Sequence, residues 1–197
     1  GIILYGAQRY SAVLFSMDSR GALSSETSAT ARYRSTQFYF ENQAKNTKYT
    51  VVRASLSGAA EVLYARMAIA FMQGGRNTIK HVVHLIDSVN DGAVSQATID
   101  SNKATALEVK AQAELIGAEV TFLVSFPRLA GVPADQLALL DELETWARQN
   151  ARRVLNPLRI YGKSDGTWRT GVGFDGNHML NTAYADMASR LYDLLES

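Results

Sequence analysis

Short apolar runs that stop at small or polar residues alternate along this chain with longer stretches of helical periodicity, and that alternation leaves few folds open. Strands are expected near residues 12–16, 49–54, 80–86, 118–125 and 153–160, and helices near 22–40, 59–73, 95–116, 133–151 and 181–196. Runs such as Ala12-Val13-Leu14-Phe15 and His81-Val82-Val83-His84-Leu85-Ile86 are short, apolar and end in small or polar turn residues, as strands do. Strands apolar on both faces and separated by helices make a parallel sheet covered on both sides. The expected architecture is therefore α/β, three layers α/β/α around a parallel five-stranded sheet. Pro133 is read as the first residue of its helix, followed by Ala134-Asp135, because proline and an acid suit a first turn. Leu137, Leu140, Leu143 and Ala147 then recur at helical spacing. Ile2-Ile3-Leu4-Tyr5 reads as an extra strand or the end of something removed.

A chain of 197 residues without internal repeats is read as a single domain, 1–197, with a full core. Its 47% hydrophobic and 20% charged residues are ordinary for a soluble globular protein. A net charge of +1 gives no reason to expect nucleic acid or an anionic membrane as partner, and Arg152-Arg153 is too short for a basic patch. The absence of cysteine removes disulfides, thiolate metal sites and a cysteine nucleophile. No apolar run reaches the length of a membrane span and no signal peptide is visible. Because the sequence opens on Gly1 rather than methionine, a processed protein or a piece excised from a longer one is expected, with an extracellular or cell-surface location favoured over the cytoplasm.

The chemistry-bearing residues gather where strands end. The first strand stops at Ser16-Met17-Asp18-Ser19-Arg20-Gly21, a strand-to-helix turn, and open α/β sheets bind ligands at the carboxyl ends of their strands. Val51-Val52-Arg53-Ala54 runs into Ser55-Leu56-Ser57-Gly58, and the third strand runs into Asp87-Ser88-Val89-Asn90-Asp91-Gly92. Near the far end, Asp175-Gly176-Asn177-His178 sets a carboxylate three residues before a histidine in a glycine-rich loop. Histidine is the side chain most readily used as a base near neutral pH, and a serine hydroxyl is a weak nucleophile until a base takes its proton. Each segment has a plainer reading as well: Ser19 as a helix cap, Asn90-Asp91-Gly92 as a turn, Gly58 as a backbone necessity and Asp175 as an ordinary loop residue. Gly162-Lys163-Ser164-Asp165-Gly166 fits Gly-x-Ser-x-Gly but is read as a loop, because Thr167-Trp168-Arg169-Thr170-Gly171 cannot supply the helix such an elbow needs. His81 and His84 lie three apart on a strand and so face opposite sides, which disfavours a shared metal. Met67 and Met72 read as core.

These segments resemble, in order, the blocks of the SGNH (GDSL-type) hydrolases. Met17-Asp18-Ser19 resembles Gly-Asp-Ser, Gly58 falls on the lone block glycine, Ser88-Val89-Asn90-Asp91 resembles Gly-x-Asn-Asp, and Asp175-Gly176-Asn177-His178 matches Asp-x-x-His. Val120-Thr121-Phe122-Leu123-Val124-Ser125-Phe126-Pro127 is similar to the family's strand before a proline turn. Met17 and Ser88 depart from the family, standing where it usually has glycine. The resemblance implies a flavodoxin-like fold and a serine esterase working without cofactor or metal through an acyl-enzyme. Ser19 would be nucleophile, His178 base and Asp175 its orienting acid. The backbone N–H groups of Ser19 and Gly58 and the side-chain amide of Asn90 would form the oxyanion hole. The expected substrate is a small ester or an acylated carbohydrate such as an O-acetylated polysaccharide, with Trp168 as a sugar platform (or a core aromatic) and Arg128 as a contact for an anionic group (or a solvated cation). A lipase or thioesterase on acyl chains, and an inactive carbohydrate-binding domain with the same fold, are the alternatives.

Overall fold

The computed structural model of the chain describes residues 11–18, 36–56, 58–74, 78–87, 89–91, 93–128, 131–173 and 178–197. Five strands, β1 (Ser11–Ser16), β2 (Tyr49–Arg53), β3 (Ile79–Leu85), β4 (Glu119–Leu123) and β5 (Arg153–Leu155), form one sheet in the order β2-β1-β3-β4-β5. Every pairing is parallel. The helices are α1 (Thr36–Asn42), α2 (Glu61–Gly74), α3 (Gln96–Leu115), α4 (Ala134–Asn150), α5 (Pro157–Tyr161) and α6 (Asn181–Glu196). The chain steps from β1 outward to β2, then crosses back over β1 to β3 and continues in that direction. Such a reversal opens a crevice at the carboxyl edge between β1 and β3.

Successive residues of a strand point to opposite faces, and the core divides accordingly. Leu14, Val82, Val120 and Phe122 pack with Ala65 and Ala68 of α2, Ile99 and Val109 of α3 and Leu140 and Leu143 of α4. Val13, Phe15, Val83, Leu85 and Leu123 pack with Phe40 of α1 and Met187 and Leu191 of α6. Both faces are thus apolar and covered, the condition under which a parallel sheet is stable.

The helix starts follow local chemistry. Ser95 caps α3, its hydroxyl accepting from the Thr98 N–H at 3.2 Å. Pro133 is the cap of α4 rather than its first residue, with Asp135 in the first turn. The last strand is shorter than its apolar run suggests: after Leu155 the chain enters α5, where 153–160 was expected to stay extended. Asn156 caps this helix by accepting from the Arg159 N–H, and Pro157 follows at the first helical position. The expected helix over 22–40 is seen here only from Thr36 on; its earlier part, like Ile2-Ile3-Leu4-Tyr5, lies outside the described residues.

Candidate functional site at the carboxyl edge of the sheet

Three chain segments leave the sheet side by side at this edge. Met17 and Asp18, the last described residues before Ser19, are completely buried, so the chain comes out of β1 along a fixed path. The segment after β2 is laced to it: the N–H of Ala54 donates to Phe15 and that of Leu56 to Met17. Gly58 follows at φ +71, a conformation costly for any residue with a side chain. Among the described residues, none comes within 4 Å of a Cβ built at Gly58.

The third segment leaves β3 through Ile86 and Asp87, and Asp87 is held at φ +72. A short 3-10 turn, Val89–Asp91, comes next. Its Asn90 is exposed, and its side-chain amide donates to the carbonyl of Ala59 at 3.3 Å. Asn90 and Gly58 are therefore neighbours although 32 residues separate them. Asp91 accepts from the backbone N–H of Glu61 at 2.7 Å and from the Asn102 amide at 3.3 Å, tying the same turn to α2 and α3.

His178 is half-buried in the approach to α6. At the opposite end of that helix, Glu196 bonds to Tyr49, the first residue of β2, which marks the amino edge of the sheet. A 16-residue helix is about 24 Å long, so its start, with His178 three residues earlier, lies toward the carboxyl edge. Met179, beside His178, is fully buried and bridges to Gly173. Ser19, Asp175 and Ser88 lie outside the described residues.

Arg128 is not a solvated cation. Its guanidinium donates to Asp87 at 2.9 Å, with Asp87 almost completely buried, and so joins the turn after β3 to the segment after β4. Trp168 is 8% exposed and belongs to the core cluster, with Gly173 closed against its ring. Of the two roles considered for it, core packing is the one its burial supports. Ser164 sits in a tight turn closed by the Gly162–Trp168 bridge, and the described residues that follow it, 165–173, contain no helix. The loop reading of that Gly-x-Ser-x-Gly segment agrees with this geometry.

His81 and His84 do face opposite sides. His81 lies edge-on to Tyr49, at 5.4 Å between ring centres. His84 is completely buried on the other face, and residues that sequence reasoning did not single out surround it. Its Nδ1 lies 2.9 Å from the Ser16 hydroxyl and its Nε2 lies 3.0 Å from a carboxyl oxygen of Glu61. Ser16 and His84 are 0% exposed and Glu61 1%. Burial pushes the imidazole down to about 3, and burial, reinforced by the negative charges of Asp91 and Asp87, holds the Glu61 carboxyl well above its usual range. The Glu61–His84 contact is therefore a hydrogen bond between neutral partners rather than an ion pair. Serine, histidine and a carboxyl in a row suggest nucleophilic chemistry, but no substrate reaches these atoms. The one available signal was a histidine inside an otherwise apolar run, which must find a buried partner.

Among the described residues no group of three or more histidines and carboxylates is placed to hold a metal, and no helix is long and apolar enough to cross a membrane.

No protein-family profile matches the chain, and no curated protein does. Solved structures match its fold over nearly all its length. A GDSL-like lipase from Bacteroides thetaiotaomicron superposes with a TM-score of 0.70 at 14% identity, over 98% of this chain and 92% of the lipase. A psychrotrophic esterase from Pseudoalteromonas gives 0.64 at 17% identity, over 94% and 96%. An acetyl xylan esterase gives 0.63 at 14% identity, over 92% and 98%. The chain is thus a three-layer α/β/α protein with the fold of the SGNH hydrolases.

Proposed function

We propose that this chain is a serine esterase of the SGNH type, in which Ser19 attacks an ester carbonyl, His178 takes the serine proton and Asp175 orients the histidine. One observation carries the reading: Asn90 and Gly58, far apart in sequence, meet through the Asn90–Ala59 bond at the edge where β1 delivers its next residues, Met17-Asp18-Ser19. Asn90 brings an uncharged N–H donor and Gly58 a backbone with no side chain in the way of a close approach, which suits the charge that develops on a tetrahedral oxyanion. The serine proton passes to the imidazole during attack and then to the leaving alcohol. Water repeats the sequence to release the acid.

The substrate we propose is an O-acetyl group on a polysaccharide. A groove beside Asn90 is lined by Asp91, Thr98, Ser101, Asn102 and Thr105 together with Ala60, Val62 and Ala97, a mixed surface that can meet both the hydroxyls and the ring carbons of a sugar. An acetyl xylan esterase shares the fold. A lipase or thioesterase reading draws on Leu56 and Leu63, which are more than 40% exposed on either side of Gly58. Hydrolysis of nitrophenyl esters of increasing acyl length separates the two. Acetate esters should turn over fastest, and Ser19→Ala should lose activity on all of them. Equal slow turnover by parent and Ser19→Ala would leave only a sugar-binding domain with this fold.

A further inference from the structure

The buried Ser16–His84–Glu61 chain joins the three segments that build the edge. Ser16 is the last residue of β1, and its Cα pairs with that of His84 in β3. Glu61 opens α2, three residues after Gly58. One oxygen of its carboxyl meets His84, and the other accepts from the N–H of Asp87, in the turn that leads to Asn90, at 3.3 Å. Its own N–H donates to Asp91, on the far side of Asn90, at 2.7 Å. Glu61 thus holds the turn 87–91 at both ends, and Asn90 hangs between the two grips.

We propose that Glu61 is a positioning residue: through its paired bonds to Asp87 and Asp91 and its link to His84 and Ser16, it sets where Asn90 stands relative to Gly58 and the exit of β1. Proton placement is consistent throughout the network. The Ser16 hydroxyl has one proton and lies 3.3 Å from the Tyr64 carbonyl, which can only accept it. His84 Nδ1–H then donates to Ser16, and Nε2 accepts. The partner of Nε2 must donate, so Glu61 carries a proton there while its second oxygen accepts from Asp87. This neutral arrangement is the one that the depressed imidazole and the raised carboxyl both favour. A glutamine can reproduce it, because its amide N–H replaces the carboxyl O–H. An aspartate is one methylene too short to reach His84 and Asp87 together.

The inference rests on the esterase reading above, and kinetics on acetyl nitrophenyl ester test it. Glu61→Gln should keep kcat within about threefold of the parent. Glu61→Asp should lower kcat about tenfold and leave KM within about twofold, because a displaced donor is felt mainly in the transition state and costs less than the 10²-fold or more of losing one. In an Asn90→Ala background the Glu61→Asp loss should vanish, since its route of action is gone. Melting curves monitored by circular dichroism establish that the variants are folded. If Glu61→Asp does not fold, Ser16→Ala, which removes the far link, replaces it in the same cycle with Asn90→Ala. A tenfold loss that persists without Asn90, an unchanged kcat in the folded short-chain variant, or a Gln variant as poor as the Asp variant would each overturn the proposal. A parent without esterase activity would overturn the functional reading along with it.

Discussion

Replacing Glu61 by glutamine should make the protein gain stability on its parent as the pH rises. The Glu61 carboxyl is completely buried and its folded value lies well above the usual 4.5, mainly through burial and then through the charge of Asp91. Below pH 4.5 it is protonated in both folded and unfolded chains and gives no pH dependence. Above 4.5 the unfolded chain releases the proton and the folded chain keeps it, so parent stability falls by about 1.4 kcal/mol per pH unit until the folded value is passed. Glutamine has no proton to lose. His84 also shapes the pH response: its folded value of about 3 means the unfolded chain takes up a proton below 6.5 and the folded chain does not. The glutamine amide donates to the same His84 nitrogen as the protonated carboxyl does, so the imidazole stays neutral in both folded proteins and the uptake by the unfolded chain is common to parent and variant. As the pH rises above 4.5 the variant should therefore gain stability on the parent, at up to about 1.4 kcal/mol per pH unit while the folded carboxyl keeps its proton. Urea unfolding at pH 5.5, 6.5 and 7.5 reads the difference. A difference that stays flat over this range, or that favours the parent as pH rises, would mean that Glu61 is ionised in the folded protein and that the neutral network is wrong.

Ser19→Ala should abolish covalent labelling by a fluorophosphonate, while Ser164→Ala, in the closed turn before Trp168, should leave labelling intact; the opposite pattern would relocate the nucleophile. Asn90→Ala should lower kcat about 10²-fold with little change in KM, and a normal kcat beside a lowered Tm would reduce Asn90 to a turn residue. His178→Ala should cost more turnover than Asp175→Asn, since the histidine moves the proton and the acid orients it; equal or reversed losses would contradict those roles. Gly166→Ala should destabilise by more than about 1 kcal/mol, because Gly166 sits at φ +78 and a Cβ there would lie 2.8 Å from a methyl of Val132 and 3.2 Å from its backbone nitrogen. An unchanged urea midpoint would show that this turn relaxes freely.

The positions of the strands were legible in the chain itself. Runs such as Ala12-Val13-Leu14-Phe15 are apolar on both faces, which only a strand between two helical layers satisfies, and four of the five expected strands agree with the structure to within two residues at each end. The fifth was misread because apolar character was followed past Leu155, when Asn156-Pro157, a cap and a first-turn proline, already announced a helix. The block residues could be read too, because the turn chemistry of Gly58 and Asn90 is local. What the chain alone could not show is which distant residues would meet. Ser16 could be read only as the start of a turn, His84 only as a structural residue, and Glu61 carried no signal at all. Residues 16, 61 and 84 share no spacing that a periodicity can detect. Their contact arises because α2 lies across the ends of β1 and β3, where three polar groups shut away from water have only one another and nearby backbone to bond. Local periodicity determined the elements, and the exclusion of water from the packed edge decided the partners.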